Sequence, residues 1–433
     1  MLTSPKTLHI VLNGVVEDSR VLKCAWSLGN AGWDVLVCAS SPFTHSDELS
    51  IGYARVIRLP LRPVVNQVTL GRILRKLRHY KRLLESKFLP EKEPLIPNLK
   101  RSVHAILPVA MDFRPNVVHA HDYTALPIAG AIVEALTAAG ISCSLVYDAH
   151  EYVPGVAHLR PPLMHLYSDQ ERKYSQFASA ILSVSEGMSD LLIPHLNISA
   201  RPEIVANDPL VEGQQPASRN LRQDCGIGSD VPLMVYSGAV APQRGVATAV
   251  DALHLLPNVH LVVIANPSNA TVKKLQDTYP ELHSRFHVLP YVPNAELVSY
   301  LSGADIGLIP IHHRQNHEIS LITKFGEYMQ ARLPIVVSDV KTMSEAVIEL
   351  GNGEVFVAED VVSFVTAVKK VLADKGKYQT AYTEEVLAER SWERQAEELL
   401  AIYNRISDAS PTAREHLPFR ISEPVPLEST STP

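Results

Sequence analysis

Short runs of β-branched and other apolar residues alternate with helical patterns along nearly the whole of this 433-residue chain. Strands that are covered on both faces read as continuous apolar runs, and parallel strands need a long crossover, usually a helix, between them. The alternation therefore predicts an α/β protein with doubly wound parallel sheets. The chain is also long enough for two domains, each with its own hydrophobic core.

The pattern divides into two halves that repeat one theme. In the first half we predict strands at 8–13, 34–38, 55–59, 116–119, 144–147, 180–184 and 203–206. In the second half we predict strands at 233–237, 260–264, 286–289, 306–309 and 335–338. Each half is expected to form a Rossmann-like domain with its ligand site at the carboxyl ends of the strands, so the cleft between the two domains is the expected site.

Composition suggests where these domains begin and end. We predict a first domain at 1–207, a linker at 208–231 that is rich in Gly, Pro, Gln, Asn and Ser, and a second domain at 232–390. A helix with an apolar face is predicted at 391–407, with Ser391 as its candidate cap. The segment 408–433 is rich in Pro, Ser, Thr and Glu without periodicity, and we expect a disordered tail there.

The overall composition is that of a globular enzyme. The net charge of −6 argues against a nucleic-acid partner. No apolar run approaches the length of a membrane span, and the N-terminus enters a strand pattern without a charged and then apolar leader, so we expect a cytoplasmic protein. The four cysteines, Cys24, Cys38, Cys143 and Cys225, form no C-x-x-C pair, which favours buried free thiols over a disulfide framework or a zinc site.

The segment 318–334, EISLITKFGEYMQARLP, combines a polar loop with a helix start suited to an anion. We predict a helix over about 321–331 with Ser320 as its cap, which leaves backbone N–H groups and the positive end of the helix dipole facing a ligand. A diphosphate fits such a position. Lys324 and Glu327 follow on the same face and offer a cation and a hydroxyl acceptor. The alternative is an ordinary amphipathic helix with an exposed Glu and Lys.

The pattern S-L-x-x-K-x-x-E-Y-M-x-A-x-x-P-I-V-V in this segment resembles the donor-binding signature of retaining GT-B glycosyltransferases, in particular family 4. The resemblance covers about 7–407. It implies the GT-B fold, in which two Rossmann-like domains face a central cleft. The first domain would bind the acceptor and would be completed by the helix at 391–407, and the second would bind a nucleotide-sugar donor.

The same resemblance implies roles for the residues of the signature. The Glu that matches Glu327 binds the ribose hydroxyls in this family. The loop before the helix contacts the pyrophosphate and the transferred sugar, and it corresponds here to Glu318, Ile319, Ser320 and Leu321. The family usually has a second Glu where this chain has Ile319, with Glu318 beside it.

Two further loops carry glycine at the ends of predicted strands. Gly14 follows the first strand, and the resemblance makes it a candidate for close approach to the donor, the alternative being a simple turn. Gly238 follows the first strand of the second half. The family usually has two cations after that glycine, and this chain keeps only Arg244, because Ala239 occupies the first position. The absence of G-x-G-x-x-G in the sequence argues against a nicotinamide or flavin enzyme.

The sequence predicts a reaction that needs no metal cofactor. It contains no D-x-D motif, and no histidines stand at a metal-ligand spacing such as H-E-x-x-H. Arg244 and Lys324 would instead neutralise a diphosphate leaving group, together with the helix dipole.

Polar residues follow two predicted strands of the first half. Asp148, His150 and Glu151 come from the run YDAHE, which resembles the D-x-H-E run of family 4 enzymes. The resemblance implies that His150 contacts the sugar or its leaving group, with Asp148 and Glu151 as supports. The run HAHD, residues 119–122, is similarly placed and also resembles the family, and we assign it to the acceptor side with His121 and Asp122 as its candidate residues. The alternative for His150 is a strand-end residue that merely caps a loop.

Residues 71–87 carry seven Lys and Arg against one Glu, with apolar residues at helical spacing. A basic amphipathic helix of this kind is suited to docking on anionic lipid at the inner face of a membrane. The alternatives are a solvated basic face and a surface that holds an anionic soluble acceptor.

Together these features predict a metal-independent, retaining glycosyltransferase with a UDP- or GDP-linked donor. Its acceptor would be a small molecule, a glycan or a lipid-linked glycan. Two alternatives stay open from the sequence. One is a nucleotide-sugar epimerase of the same fold, and the other is a catalytically silent nucleotide-sugar-binding protein, suggested by Ile319 and Ala239.

Overall fold

The computed structural model describes residues 4–61, 98–157, 159–407, 411–412 and 414–427, and the basic helix predicted at 71–87 lies outside them. Contacts divide the chain into two compact units. The first comprises Met1–Ser183, Leu191–Glu203 and Leu399–Pro433, and the second comprises Val184–Asp190 and Ile204–Glu398. The segment 208–231, which we expected to be a linker, is part of the second unit.

The sheet of the first unit contains nine strands among the described residues. They are β1 (Lys6–Ile10), β2 (Asp34–Ser40), β3 (Asp47–Ile51), β4 (Ala54–Leu59), β5 (Val117–His121), β6 (Ser144–Asp148), β7 (Ala180–Ser183), β8 (Glu203–Ile204) and β15 (Val425–Pro426). Their order is β15-β3-β4-β2-β1-β5-β6-β7-β8. The pairs from β4 through β2, β1, β5 and β6 to β7 are parallel, whereas β3 is antiparallel to β4 and β15 is antiparallel to β3.

The second sheet contains six strands in the described part of its unit. They are β9 (Leu233–Ser237), β10 (His260–Ile264), β11 (Phe286–Leu289), β12 (Ile306–Ile309), β13 (Ile335–Ser338) and β14 (Gly353–Phe356). Their order is β11-β10-β9-β12-β13-β14, and every pair is parallel. The first five have the limits predicted from sequence. The alternation did not reveal β14, because Gly and Glu interrupt its short apolar run.

Helices connect most of these strands. They are α1 (Ser19–Asn30), α2 (Leu99–Phe113), α3 (Asp122–Ala138), α4 (Pro161–Ser175), α5 (Glu186–Leu196), α6 (Leu221–Asp224), α7 (Val246–Ala252), α8 (Ala270–Thr278), α9 (Asn294–Leu301), α10 (Gln315–Glu318), α11 (Thr323–Gln330), α12 (Lys341–Leu350), α13 (Val361–Ala373), α14 (Lys375–Gln379), α15 (Glu384–Glu389) and α16 (Trp392–Ile406). Three single 3₁₀ turns, at Val153–Gly155, Pro242–Arg244 and Pro280–Leu282, complete the helical elements of the described residues.

Side chains of the central strand β9 show why the second sheet is covered on both faces. Met234 and Tyr236 pack in one hydrophobic cluster, while Leu233 and Val235 pack in another. Successive residues of a strand point to opposite faces of the sheet, so an apolar run without alternation needs a core on each side. This is the doubly wound arrangement that the sequence predicts.

The C-terminal segment differs from our expectation of a disordered tail at 408–433. Residues 425–426 form β15 along the edge strand β3, and Ile421 bridges to Ile51. Upstream, the carbonyl oxygen of Leu417 accepts a hydrogen bond from Trp26 Nε1 at 2.8 Å. The prediction was wrong for the described residues 414–427 because composition reports only what a segment can bury by itself, whereas this one uses β3 and α1 as its partners.

Helix α11 also differs from its prediction. It begins at Thr323 rather than after Ser320, and Ile322 occupies the N-cap position without a side-chain hydrogen bond. Ile322 has extended backbone angles, and its carbonyl accepts from the N–H of Phe325 at 2.8 Å. Ser320 therefore lies in the loop, and Lys324 and Glu327 share a helix face without it.

Candidate active site

The carboxyl ends of β1, β5 and β6 bring a cluster of polar side chains together in the first unit. His9 on β1 pairs in register with His119 on β5, and His121 pairs with Asp148 on β6. Alternate residues of a strand share a face, so His119 and His121 project on the same side. His9, His119, His121 and Asp148 are all fully buried. Buried polar groups are tolerated in a protein when they have hydrogen-bond partners. The members of this cluster form hydrogen bonds with one another.

Asp148 is held as a carboxylate by Arg20 of α1. Arg20 Nη2 donates to Oδ1 at 2.7 Å and Arg20 Nε donates to Oδ2 at 2.9 Å. Burial by itself raises the pKa of Asp148, but the charges of Arg20 and His150 outweigh it and hold the pKa well below its usual value. Asp18 caps α1 by accepting from the N–H of Val21, and this fixes the helix start that directs Arg20 inward.

The histidines form a chain that begins at this carboxylate. His121 Nδ1 and His150 Nε2 each lie 3.2 Å from Asp148 Oδ2. His121 Nε2 lies 2.9 Å from His9 Nδ1, and His9 Nε2 lies 3.3 Å from the hydroxyl of Tyr403 on α16. That hydroxyl is also 2.7 Å from His119 Nδ1. Burial lowers the pKa of His9 and His119, and it lowers the pKa of His121 to about 3, so these three rings are neutral near pH 7.

His150 and Asp122 are the members of this group that reach solvent. Burial lowers the pKa of His150, but the Asp148 carboxylate outweighs burial and the pKa is raised overall. Asp122 follows β5 with φ at 71°, in the left-handed region that Asp adopts more readily than most non-glycine residues. Burial raises the pKa of Asp122 to about 7. Glu151 is exposed next to them. The sequence-predicted acceptor residues are therefore brought together at one edge of the first sheet.

Gly14 lies at the same edge, after β1, but its own backbone does not require glycine. A Cβ at Gly14 would meet nothing closer than the Ser40 carbonyl oxygen at 3.9 Å, and the left-handed residue of this loop is Val15, with φ at 63°. The exposed backbone of Gly14 is open to a ligand, and its role in donor binding remains a prediction.

Two triads in this cluster bring metal-ligand atoms within 4.8 Å of one another: His9, His119 and His121, and His121, Asp148 and His150. The geometry of the first triad is poor for a metal ion. The rings of His119 and His121 stack at 12° with centroids 4.1 Å apart, so their nitrogen lone pairs run parallel instead of converging. In the second triad, Asp148 already receives two hydrogen bonds from Arg20.

In the second unit, Lys324 lies at the carboxyl end of the central strand β9. Its Nζ sits 3.7 Å above the centre of the Tyr236 ring, a cation–π contact inside the protein. Gly238, with φ at 117°, ends the strand, and a Cβ there would come within 3.5 Å of Nζ. Burial, and after it the charge of Arg244, lowers the pKa of Lys324 to about 7.

Arg244 is positioned by a turn that only glycine can follow. It ends the 3₁₀ turn Pro242–Arg244, and the next residue, Gly245, has φ at 69°. A Cβ on Gly245 would lie 1.6 Å from the carbonyl oxygen of Pro310, so any other residue would displace the loop. The charge of Arg244 contributes to lowering the pKa of Lys324, and a bound anion would offset that repulsion.

Glu318, the last residue of α10, anchors the loop that leads to α11. Glu318 Oε1 lies 2.6 Å from His313 Nδ1, and Glu318 Oε2 accepts from the N–H of Lys341 at the start of α12 at 2.8 Å. His313 Nε2 lies 3.0 Å from Asp339 Oδ1, so His313 joins the two carboxylates. Hydrogen bonding to Glu318 raises the pKa of His313. These contacts engage Glu318 within the protein and hold the loop in one shape.

The other predicted donor residues lie in and after this loop. Ile319 ends α10, and Ser320 and Leu321 lead from it to α11, each partly buried. Glu327 is partly buried one turn after Lys324. The next residue, Tyr328, is fully buried and its hydroxyl accepts from the N–H of Ser237 at 3.0 Å, which ties α11 to the end of β9. The predicted donor residues other than Gly14 are thus brought to one edge of the second sheet.

Sequence analysis assigned no role to three residues of the first cluster, namely Arg20, Tyr403 and His9. His119 belongs to the run HAHD, which we assigned to the acceptor side. The available signal was a polar or charged side chain on the buried face of an amphipathic element, because such a side chain needs a buried partner.

Two known protein families match this chain, one over its first half and the other over its second half. The family described as Glycosyl transferase 4-like domain matches residues 18–208, and the family described as Glycosyl transferases group 1 matches residues 217–386. The chain is 27% identical over 331 residues to the alpha-maltose-1-phosphate synthase of Mycolicibacterium smegmatis, which is 67% of this chain and 79% of that protein. It is 26% identical over 210 residues to the D-inositol 3-phosphate glycosyltransferase of Xylanimonas cellulosilytica, 47% of this chain and 49% of that protein.

Solved structures show the same fold. Sucrose-phosphate synthase from Thermosynechococcus elongatus aligns with a TM-score of 0.73 at 16% identity, over 93% of this chain and 99% of that chain. The Anabaena protein HepE in complex with UDP-glucose aligns with a TM-score of 0.65 at 13% identity, over 92% and 99%. Among the described residues, no helix is both long enough and apolar enough to span a membrane. The two matched families and the shared fold confirm that this chain belongs to the GT-B glycosyltransferases of the group 1, family 4 type.

Proposed function

We propose that this glycosyltransferase moves a sugar from a UDP- or GDP-linked donor to an acceptor with retention of configuration and without a metal ion. The observation that carries the proposal is the pair of basic side chains, Lys324 and Arg244, near the carboxyl end of β9. There Lys324 is buried over the Tyr236 ring, and Arg244 is close enough to lower its pKa. Two cations held beside the glycine turn at Gly238 suit the diphosphate of a nucleotide-sugar.

The proteins that this chain resembles give separate support for a nucleotide-sugar donor. HepE was solved with UDP and with UDP-glucose, and the curated relatives bear the names of a synthase and a glycosyltransferase. The names of these relatives favour sugar transfer over epimerisation and over nucleotide-sugar binding without catalysis. We therefore assign Glu327 to the ribose hydroxyls, and Gly14, Gly238 and the loop from Glu318 to Leu321 to the diphosphate and the sugar.

The proposed reaction needs no enzyme nucleophile. The bond from the anomeric carbon to the diphosphate oxygen breaks, and a bond from that carbon to the acceptor oxygen forms on the same face of the sugar. The acceptor proton passes to the departing phosphate oxygen. Lys324 and Arg244 stabilise the negative charge that grows on the leaving group. His150 contacts the sugar or its leaving group, while His121, Asp122, Asp148 and Glu151 serve the acceptor side.

The acceptor is proposed to be a small molecule, a glycan or a lipid-linked glycan. The cluster around Asp122 and His150 offers hydrogen-bond donors and acceptors for hydroxyl groups, which all three classes carry. We propose a cytoplasmic location, with the basic segment 71–87 as the candidate contact to anionic lipid.

The test is the affinity of the free nucleotides, measured by calorimetry. UDP or GDP should bind the wild-type protein, and Glu327→Ala should weaken that binding by about 1.5–3 kcal/mol, the range for a hydrogen bond to a charged group. Glu345→Ala, which removes an exposed carboxylate of α12 in the same unit, is the matched control. Wild-type affinity in a folded Glu327→Ala protein would overturn the assignment of this donor site. The anomeric configuration of the product, read by NMR, tests retention.

A further inference from the structure

Tyr403 is the point where helix α16 contacts the buried histidines. Its hydroxyl lies 2.7 Å from His119 Nδ1, 3.2 Å from Thr7 Oγ1 and 3.3 Å from His9 Nε2. Its ring is fully buried and packs edge-on against Trp33, with centroids 5.0 Å apart. A tyrosine hydroxyl has one proton to donate, so the direction of that proton constrains which nitrogen of each neighbouring ring can carry hydrogen.

The chain of hydrogen bonds has a fixed end at Asp148. The carboxylate is paired with Arg20 through two hydrogen bonds and can only accept. His121 Nδ1, 3.2 Å from Asp148 Oδ2, must therefore carry a proton if this contact is to be attractive. His121 is a neutral ring, so its Nε2 then has no proton and is an acceptor.

The remaining proton positions follow from this one. Within the part of the chain that the structure describes, His121 Nε2 has its hydrogen-bond partner in His9 Nδ1 at 2.9 Å, so His9 Nδ1 must donate. His9 is neutral as well, which makes its Nε2 an acceptor for the Tyr403 hydroxyl. The Tyr403 oxygen then accepts from His119 Nδ1. This arrangement leaves His119 Nε2 without a proton, and that nitrogen has no hydrogen-bond partner among the described residues.

The reversed arrangement is less favourable. If Tyr403 donates to His119, the His9 proton moves to Nε2 and the His121 proton moves to Nε2. His121 Nδ1 then presents a lone pair to the Asp148 carboxylate at 3.2 Å, which is repulsive at a buried position. Two contacts could compensate, and both are weak. His150 Nε2 lies 3.4 Å from His121 Nδ1 but closer to Asp148 Oδ2, at 3.2 Å, and His119 Nε2 lies 3.6 Å from Asp148 Oδ2, too far for a hydrogen bond. The proton of Tyr403 therefore belongs on the His9 side.

We infer that Tyr403 is a positioning residue for the active site, whose hydroxyl donates to His9 Nε2 and accepts from His119 Nδ1 and so holds both rings in place behind His121. The inference rests on the proposed roles of His121, Asp148 and His150 in the reaction. His9 Nδ1 donates to His121 Nε2, and His150 Nε2 shares Asp148 Oδ2 with His121, so the placement of the His9 ring affects the placement of both rings. Without the hydroxyl, His9 Nε2 loses its donor and His119 Nδ1 loses its acceptor, which leaves two buried polar atoms without a partner.

The experiment compares Tyr403→Phe with the wild-type protein. Nitrogen-15 NMR of the histidine rings distinguishes protonated from unprotonated ring nitrogens, and His9→Asn and His121→Asn assign the two rings. We expect the phenylalanine variant to keep the protons on Nδ1 of His9 and His121, because Asp148 sets them, and to move the resonance of His9 Nε2 to the position of an unprotonated nitrogen that has no hydrogen bond. We also expect kcat to fall about tenfold while the KM for the donor changes little, because the second unit is untouched.

The matched control is Tyr382→Phe, which removes a buried tyrosine hydroxyl that donates to the carbonyl oxygen of Leu333, away from any histidine. It should leave the ring spectra of His9 and His121 and the kcat unchanged. An unchanged His9 Nε2 resonance in Tyr403→Phe overturns the inference, and so does an equal loss of kcat in both variants. A shifted resonance with wild-type kcat overturns the positioning role. The ring spectra are recorded without donor, so they remain informative if the proposed donor site fails its own test.

Discussion

Arg20 and Asp148 form a buried salt bridge that joins the first turn of α1 to the carboxyl end of β6. Their closest atoms, Nη2 and Oδ1, are 2.7 Å apart, and the side chains are 3% and 0% exposed. A second hydrogen bond from Nε to Oδ2 makes the pair bidentate. The carboxylate that orders His121 and His150 is therefore itself ordered by a residue 128 positions away.

Removing one partner of this salt bridge should strongly destabilise the first unit. Arg20→Met leaves the Asp148 charge buried without its partner and should lower the free energy of unfolding of the first unit by about 3–5 kcal/mol. The double variant Arg20→Met, Asp148→Asn removes both charges and should be less destabilised than Arg20→Met alone. In a Trp392→Phe background the two remaining tryptophans, Trp26 and Trp33, report on the first unit during urea unfolding. If Arg20→Met were as stable as the wild-type protein, Arg20 and Asp148 would not form the buried charge pair that we assign to them.

Lys324 should bind a proton when the nucleotide binds. Its pKa of about 7 means that it is largely neutral at pH 8 in the free protein, and a bound diphosphate stabilises the charged form. The complex then holds more protons than the free protein, so affinity must fall as the pH rises above 7. Calorimetry at pH 8 in buffers of different ionisation enthalpy should show an uptake of about one proton.

Lys324→Arg is the control for this prediction, because arginine stays charged and cannot take up a proton. The uptake should vanish in that variant. It should also approach zero in the wild-type protein at pH 6, where Lys324 is already charged. A proton uptake that persists in Lys324→Arg would assign the linkage to another group.

Arg244 should act mainly on the chemical step. The negative charge of the leaving group grows as the sugar–phosphate bond breaks, so Arg244→Ala should lower kcat by about a hundredfold or more in addition to weakening nucleotide binding. Arg219→Ala removes an exposed arginine of the same unit that pairs with Asp224, and it should change kcat little. Equal steady-state constants for Arg244→Ala and the wild-type protein would remove Arg244 from the proposed site.

Turnover should survive chelation of metal ions. The proposed site places Arg244, and Lys324 once the diphosphate has stabilised its charged form, where other enzymes use Mg²⁺. Initial rates are measured before and after dialysis against EDTA, with and without added Mg²⁺ or Mn²⁺. If dialysis abolished activity and either ion restored it, the proposal that the reaction needs no metal ion would be wrong.

The C-terminal segment should stabilise the first unit. A chain ending at Ser407 lacks the residues that cover Trp26 and pair with β3, and its free energy of unfolding should fall by about 2 kcal/mol or more. The uncovered edge of β3 is also a template for pairing between copies, so sedimentation should show greater self-association. A chain ending at Leu427 keeps every described contact and is the control. Identical behaviour of the two truncated chains would contradict this role.

The sequence by itself determined the α/β architecture of this protein and indicated the residues of the proposed donor site. Five strands of the second sheet have their predicted limits because a parallel strand covered on both faces must be apolar throughout, which is a local property of the chain. Arg244, Lys324 and Glu327 could be proposed from the sequence because they lie within one short motif and on a loop of the same domain.

Only the tertiary structure decided the partners across long separations. Arg20 and Asp148 are 128 residues apart, and His9 and Tyr403 are 394 residues apart, so no pattern along the chain reports their contact. The same holds for the C-terminal segment, whose order comes from β3 and α1 at the other end of the chain. Periodicity encodes which face of an element is buried, whereas the hydrogen bonds of a buried polar group depend on which other elements the fold brings to that face.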